Sequence, residues 1–331
     1  MSPFQPGPDS APPHSIHVVA GVLYDSAGRV LVSQRLARQP MPGKWEFPGG
    51  KLEPGEARQA GLARELEEEL GVSLLSARPL IRFRHAGAQP DVVLDIWQVE
   101  EFAGQPRGRL GQALRWVAVD ELSDLDLLDA NRPIVRAVGL PALYLVTGPG
   151  EPRQFFARLD VALRRGIRLV QLRAPTLDDG AFRALAAQAA ERCRQAGARL
   201  LLNGEPGAAA GLARELQADG IHVPARYLGA LRPGAAAGLL IGASCHDAAE
   251  LAAAAQAGAD FAVLGPVRRT SSHAGRAPLG WRRFDILVAE AGLPVYALGG
   301  LGEDDLPRAW AAGAQGVAAI RALWAPPAGR D

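Results

Sequence analysis

The densest chemistry in the chain lies between Gly49 and Val72. A glycine-rich loop, Gly49-Gly50-Lys51-Leu52-Glu53-Pro54-Gly55-Glu56, precedes the run Arg64-Glu65-Leu66-Glu67-Glu68-Glu69-Leu70-Gly71-Val72. At helical pitch Glu65, Glu68 and Glu69 stand at i, i+3 and i+4, so all three project from one face. Three like charges there repel one another unless a cation neutralises them, and clustered carboxylates suit a hard divalent ion. Leu62, Leu66 and Leu70 form the apolar stripe that docks such a helix on a core. Gly71 is placed to end it in the left-handed conformation. A solvated glutamate-rich helix is the plainer account of a charge run like this one. It leaves unexplained the Gly-Gly-Lys loop, Glu56 at its offset, and Arg64 beside Glu65.

The rest of the composition narrows the classes. At 331 residues the chain is long enough for two domains with full cores. A net charge of +1 offers no basic field for nucleic acid. Lys44 and Lys51 are the only lysines, the other cations being arginine. Cys193 and Cys245 match no metal or redox spacing and read as free, buried thiols in a reducing cytosol. No apolar run reaches membrane-spanning length and no secretory leader pattern opens the chain. The expectations are therefore a cytoplasmic protein, no membrane and no nucleic-acid partner. Oligomeric state is not readable.

Elements that could position the acidic run come in two textures. Residues 1–15, rich in Pro and Ser, read as a disordered tail. Residues 16–140 read as a mixed α/β unit, with strands near 18–24, 30–34, 92–100 and 115–119 and the acidic helix between the pairs. From 141 to 331 strands and helices alternate. Strands are expected at 143–147, 169–173, 200–203, 221–223, 239–243, 261–264, 295–298 and 317–320, with alanine-rich helices such as 182–195 and 248–257. Eight parallel-type strands alternating with helices predict a (β/α)8 TIM barrel.

Gly50, Glu56, Arg64, Glu65, Glu68, Glu69 and Gly71 fill every fixed position of the Nudix box, and the first unit resembles a Nudix hydrolase, an α/β/α sandwich with a mixed sheet. The resemblance implies metal ligation by Glu65, Glu68, Glu69 and the Gly49 carbonyl, with Glu56 as an outer carboxylate and Arg64 orienting the glutamates. The cofactor implied is Mg2+, with Mn2+ able to substitute. Val18-Val19-Ala20-Gly21-Val22, Gln34-Arg35, Lys44-Trp45-Glu46-Phe47-Pro48-Gly49-Gly50-Lys51 and Ala130-Asn131-Arg132-Pro133-Ile134 carry a closer likeness to the MutT branch. That branch cleaves 8-oxo-dGTP to 8-oxo-dGMP and pyrophosphate, sanitising the precursor pool for DNA replication and repair. By this likeness Asn131 reads the base, Phe47 flanks it, Arg35 holds a phosphate, and Glu46 and Lys51 join the substrate site. The plainer role for Asn131 is a helix N-cap before Pro133. One departure stands out: where the branch often carries a glutamate as candidate base, Arg109-Leu110-Gly111-Gln112 offers Leu110. The proton acceptor is then Glu65 or Glu68, or a loop acid such as Glu100 or Glu101.

The second unit resembles thiamine phosphate synthase and the thiazole tautomerase TenI. The carriers are Gln171-Leu172-Arg173, Asn203, Gly220-Ile221-His222-Val223, Gly242-Ala243-Ser244-Cys245-His246, Gly265-Pro266, Thr270-Ser271-Ser272 and Leu298-Gly299-Gly300. The resemblance places a phosphate or other ligand among Gln171, Arg173, Asn203, Ser244, Thr270, Ser272, Gly299 and Gly300. Departures are equally plain. Gly204 and Tyr227 stand where acids are expected, and Pro175 and His273 where lysines are. A degenerate phosphate-binding barrel is the expectation, with His222, His246 and His273 as candidate acid–base groups. Alternatives are a thiamine-pathway diphosphate hydrolase working with the barrel, or a barrel that regulates the first unit by binding a phosphorylated ligand.

Overall fold

Strand β1 (Ile16–Leu23) shows how the first unit is layered, because its two faces are both apolar and both covered. Ala20 and Val22 enter one core, whereas Val19 and Leu23 enter another on the opposite side. Strict period-2 alternation between two buried faces is what a sheet between helices requires. A computed structural model describes residues 15–85, 91–148, 152–270 and 277–324. Except for Ser15, the expected disordered tail falls outside them. The chain divides into two compact units, Met1–Gly139 and Leu140–Asp331.

The first unit continues with β2 (Val30–Gln34), β3 (Trp45–Glu46), β4 (Gly49–Lys51), α1 (Arg58–Leu70), β5 (Ser73–His85), β6 (Val92–Ala103), β7 (Leu114–Val117) and α2 (Arg132–Val138). One sheet runs β4-β1-β6-β5 and the other β3-β2-β7. β1 pairs parallel with β6 from Ile16↔Val92 to Leu23↔Val99, while β4 and β5 lie antiparallel to their neighbours. Leu62, Leu66 and Leu70 of α1 are fully buried against Val19, Leu23 and Leu31, and Ile134 and Ala137 of α2 close the opposite core. Burying each leucine stabilises the docked helix by roughly 1.5–3 kcal/mol. The sequence does not announce β5. Pro79 and three register shifts interrupt its pairing with β6, and it lies at the edge of the sheet, where proline is tolerated.

The second unit is a closed eight-stranded parallel barrel in the order β8 to β15. Its strands are β8 (Leu143–Val146), β9 (Leu169–Leu172), β10 (Arg199–Asn203), β11 (Gly220–Val223), β12 (Leu240–Cys245), β13 (Phe261–Leu264), β14 (Val295–Leu298) and β15 (Gly316–Ala319). Helices α3 (Pro152–Arg164), α4 (Asp179–Gln195), α5 (Pro206–Leu216), α6 (Ala248–Gln256), α7 (Gly280–Ala289) and α8 (Leu306–Ala311) follow the strands in turn. After β11 a 3-10 turn, Ala225–Ala230, takes the helix's place. All eight expected strands are present within two residues at either end. Outward residues such as Leu145, Val170, Leu172 and Leu202 pack under the helices, whereas Tyr144, Leu169, Leu201, Phe261, Val263 and Tyr296 fill the interior. No helix of the described residues is long and apolar enough to cross a membrane.

Candidate active site and the barrel ligand site

Helix α1 ends as expected: Gly71 adopts φ 70° and its N–H reaches the Glu67 carbonyl at 3.0 Å. The carboxylates of its exposed face meet the glycine loop. Arg64 organises them, donating to Glu56 at 2.9 Å through both Nε and Nη2 and to Glu65 at 2.9 Å, with Glu68 at 3.6 Å. A further Arg64 N–H bonds the Lys51 carbonyl, tying helix to loop at 3.0 Å. The two hydrogen bonds from Arg64, with that from the Glu53 N–H, hold the Glu56 carboxyl down to about 2. Arg64 is itself shifted upward by Glu56 and Glu65. Glu69 moves the other way. Burial pushes it up to about 7; the Gly49 N–H at 3.1 Å opposes this, while the charges of Glu46, Glu65 and Glu68 reinforce it.

Two glycines shape this corner differently. At Gly49, φ is 149° and a Cβ would lie 2.1 Å from the Val19 carbonyl oxygen, so the position belongs to the sheet. A Cβ on Gly50 would instead meet the Glu65 carboxylate at 2.3 Å. The missing side chain there is the space Glu65 occupies. These donors suit a hard divalent cation, since they are oxygens whose mutual repulsion already disfavours full ionisation of Glu69. In the arrangement described, Glu65 faces Arg64 and Glu69 faces Gly49. Among the described residues no three acids or other ligands converge at metal-binding spacing.

The expected substrate residues fall around β3. Arg35 donates to Glu46 at 2.5 Å and to the Pro40 carbonyl at 2.6 Å, so its phosphate-holding role competes with an internal pair. Burial raises the Glu46 carboxyl, and Arg35 opposes this. Lys51 is exposed on β4. Phe47 corrects the expectation in one respect: it is a core residue, 4 % exposed and as buried as Asn131. Glu100 and Glu101 are corrected too, lying on β6 and not in a loop; Glu100 is turned to Ser76 at 3.0 Å and Arg78 at 3.6 Å. Leu110 is exposed. The stretch before α2 runs beside β3, with Trp45 N–H to Asp126 O at 2.9 Å and Leu128 N–H to Trp45 O at 3.1 Å. Asn131 follows in the next turn, its N–H bonded to the Leu128 carbonyl at 2.8 Å. Its side chain makes no capping bond, is buried, and its Nδ2 has no partner.

In the barrel the candidate residues separate into two groups. Thr270, Gly299 and Gly300 line a cavity of about 350 Å3 beyond β14 and β15, together with Asp304 and Arg321. Ser272 and His273 lie outside the described residues. Gln171, Asn203 and Ser244 are instead strung on one hydrogen-bonded row. Asn203 Nδ2 donates to Gln171 Oε1 at 3.2 Å, and Gln171 Nε2 donates to the Tyr144 hydroxyl at 3.3 Å. Tyr144 lies 3.0 Å from His222 Nδ1, and His222 Nε2 lies 2.8 Å from Ser244 Oγ. Burial, then the Arg173 charge, pushes His222 down to about 3, so the ring is neutral. A neutral ring carries one N–H and one bare nitrogen, so it donates at one end, toward Tyr144 or Ser244, and accepts at the other.

His222 is thus a linker in this row and not an acid–base group near neutrality. Its stability contribution follows in sign. The folded value lies below the unfolded one of 6.5, so stability is complete above about pH 6.5 and falls as pH drops toward 3. The slope approaches about 1.4 kcal/mol per pH unit. NMR of the imidazole nitrogens is expected to show no titration of His222 between pH 5 and 8; a midpoint near 6.5 would contradict the row. His246 pairs with Glu250 at 2.8 Å. Tyr144 escaped sequence reasoning because it stands in Leu143-Tyr144-Leu145-Val146, where every neighbour reads as core.

Comparisons with known proteins follow the same division. The family model described as NUDIX domain matches residues 15–138, and that described as Thiamine monophosphate synthase matches 143–323, more than half of the chain. An 8-oxo-dGTP diphosphatase of Haemophilus influenzae is 35 % identical over 120 residues, 36 % of this chain and 88 % of that protein. A CTP pyrophosphohydrolase of Escherichia coli is 34 % identical over 122 residues, 37 % of this chain and 90 % of that protein. A thiamine-phosphate synthase of Synechocystis is 34 % identical over 184 residues, 55 % of this chain and 52 % of that protein. The first unit is accordingly a hydrolase domain for phosphate anhydrides. The chain belongs to the Nudix family through its first unit and to the thiamine monophosphate synthase family through its barrel.

Proposed function

We propose that the first unit hydrolyses 8-oxo-dGTP to 8-oxo-dGMP and pyrophosphate with Mg2+, and that the barrel binds a phosphorylated ligand without the synthase reaction. The observation that carries the nucleotide reading is Asn131. A buried amide with an unpaired N–H costs about 1–3 kcal/mol unless a partner arrives. A purine edge supplies such a partner, and the segment bearing Asn131 is hydrogen-bonded to β3, beside the glycine loop. Glu65, Glu68, Glu69 and the Gly49 carbonyl would hold the cation, with Glu56 and Arg64 behind them. What a bound Mg2+ supplies there is neutralisation of phosphate oxygens and a more acidic water. Arg64 fixes Glu65, and Gly50 leaves it room. Since Glu100 is engaged elsewhere, the proton acceptor is sought at Glu65 or Glu68.

The relative named for CTP makes a pyrimidine triphosphate the main competitor. Pyrophosphate release by the full chain with Mg2+ on 8-oxo-dGTP, dGTP and CTP separates them. A preference of several hundredfold in kcat/KM for the oxidised purine is expected; equal or inverted ratios overturn the substrate. Asn131→Ala is expected to raise KM for 8-oxo-dGTP at least about tenfold more than for dGTP. The same change should not lower the melting temperature, because the amide caps nothing and an unpaired buried N–H is removed. A stability loss of about 1 kcal/mol with equal kinetic effects would return Asn131 to a capping role.

For the barrel, Gly204, Tyr227, Pro175 and His273 remove the acids and lysines that a diphosphate condensation needs. Calorimetric titration with inorganic phosphate and pyrophosphate tests retained binding. A thiamine-pathway role for both units remains the alternative that the fusion itself favours, and thiamine diphosphate belongs in the same hydrolysis assay.

A further inference from the structure

We propose that residues 107–112 form a positioning clamp on the C-terminal turn of α1, with Gln112 as its main positioning residue. This rests on the assignment of Glu68 and Glu69 to the cation. Both glutamates sit in the last turn of a helix that ends at Leu70. Such a turn frays, because its carbonyls have no partner within the helix. It is also the negative end of the helix dipole, where carboxylates are disfavoured, and the acids repel each other. An unsupported turn carrying this charge would open.

The loop answers each of these liabilities. Gln112 Nε2 donates to the Glu69 carbonyl at 2.9 Å, and the Arg109 N–H donates to the same oxygen at 3.0 Å. The Arg107 N–H donates to the Leu70 carbonyl at 2.9 Å. Arg109 Nη1 donates to the Glu67 carbonyl at 2.8 Å and to the Glu67 carboxylate at 3.0 Å, placing a cation where the dipole favours one. Gln112 Oε1 in turn accepts the Leu110 N–H at 2.9 Å, so one amide braces both loop and helix. The Leu110 side chain is exposed, and only its backbone N–H takes part. The segment therefore acts through the backbone of α1, and the carboxylate absent at Leu110 is not what the loop contributes.

The test uses the full chain with Gln112→Leu and, separately, Leu110→Glu. For Gln112→Leu, kcat should fall about tenfold or more with nucleotide KM within twofold, and the half-saturating Mg2+ should rise. Direct Mn2+ titration followed by electron paramagnetic resonance should show weaker binding by a similar factor, and hydrogen exchange of the last-turn amides of α1 should quicken without nucleotide or metal. Gln112→His, which keeps an N–H donor, should recover part of the loss. Leu110→Glu should leave kcat within twofold. Unchanged Mn2+ affinity and exchange in Gln112→Leu overturns the clamp, as does a large gain in kcat from Leu110→Glu. If wild-type chain cleaves no nucleotide, the proposed reaction fails, and Mn2+ binding and exchange still decide the clamp.

Discussion

The Glu68→Gln chain is expected to retain roughly a thousandth of wild-type kcat or less, a loss of about 4 kcal/mol in transition-state stabilisation. The change removes one negative charge and, on the proposed assignment, one oxygen that would hold the cation, while keeping the side chain's length. Almost nothing else depends on that charge: Glu68 is 59 % exposed and its recorded partner is Arg64 at 3.6 Å. Arg64 keeps Glu56 and Glu65 in the variant. The melting temperature should stay within a degree or two of wild type, or rise slightly as repulsion on the face is relieved. Activity lost at constant stability is the signature of a ligand. Retained activity would mean that the acidic face is solvent-facing decoration and the cation is held elsewhere.

Gly50→Ala is expected to be nearly as damaging, lowering kcat about a hundredfold. The new methyl meets only the far end of a flexible side chain, the Glu65 carboxylate at 2.3 Å, so the fold yields cheaply by turning Glu65 away. Glu65 then loses its register with Arg64, and its oxygens leave the loop. Gly49→Ala provides the contrast. Its methyl would meet the Val19 carbonyl at 2.1 Å, in the backbone of the neighbouring strand. That variant should express poorly or melt well below wild type, since β1 cannot retreat without breaking its pairing with β6. Circular dichroism melts with pyrophosphate release separate the two adjacent glycines. Equal melting temperatures for both variants would sink the distinction.

Much of the architecture is legible in the sequence because it is local. The stripe Leu62, Leu66, Leu70 and the stop at Gly71 lie within one helix, and each barrel strand is an apolar run between alanine-rich helices. β5 escapes because Pro79 and its register shifts erase the alternation that marks a strand. The candidate site is legible wherever type and spacing carry it, as with Arg64, Glu65, Glu68 and Glu69. It is illegible where a distant partner decides the role. Phe47 looks like a base-stacking ring until the core closes over it. Gln112 gains meaning only through a carbonyl 43 positions earlier. Tyr144 reads as one more apolar residue until its hydroxyl is found between Gln171 and His222.

That row through the barrel has a sense of direction. Asn203 donates to Gln171 and Gln171 donates to Tyr144, and beyond them a neutral His222 carries a single ring hydrogen. That hydrogen lies either on Nδ1, facing Tyr144, or on Nε2, facing Ser244. A move of the hydrogen between the two nitrogens changes what Tyr144 and Ser244 must supply, so the two hydroxyls turn together. The polarity of the far end of the row is therefore tied, through one ring, to a tyrosine in the barrel interior.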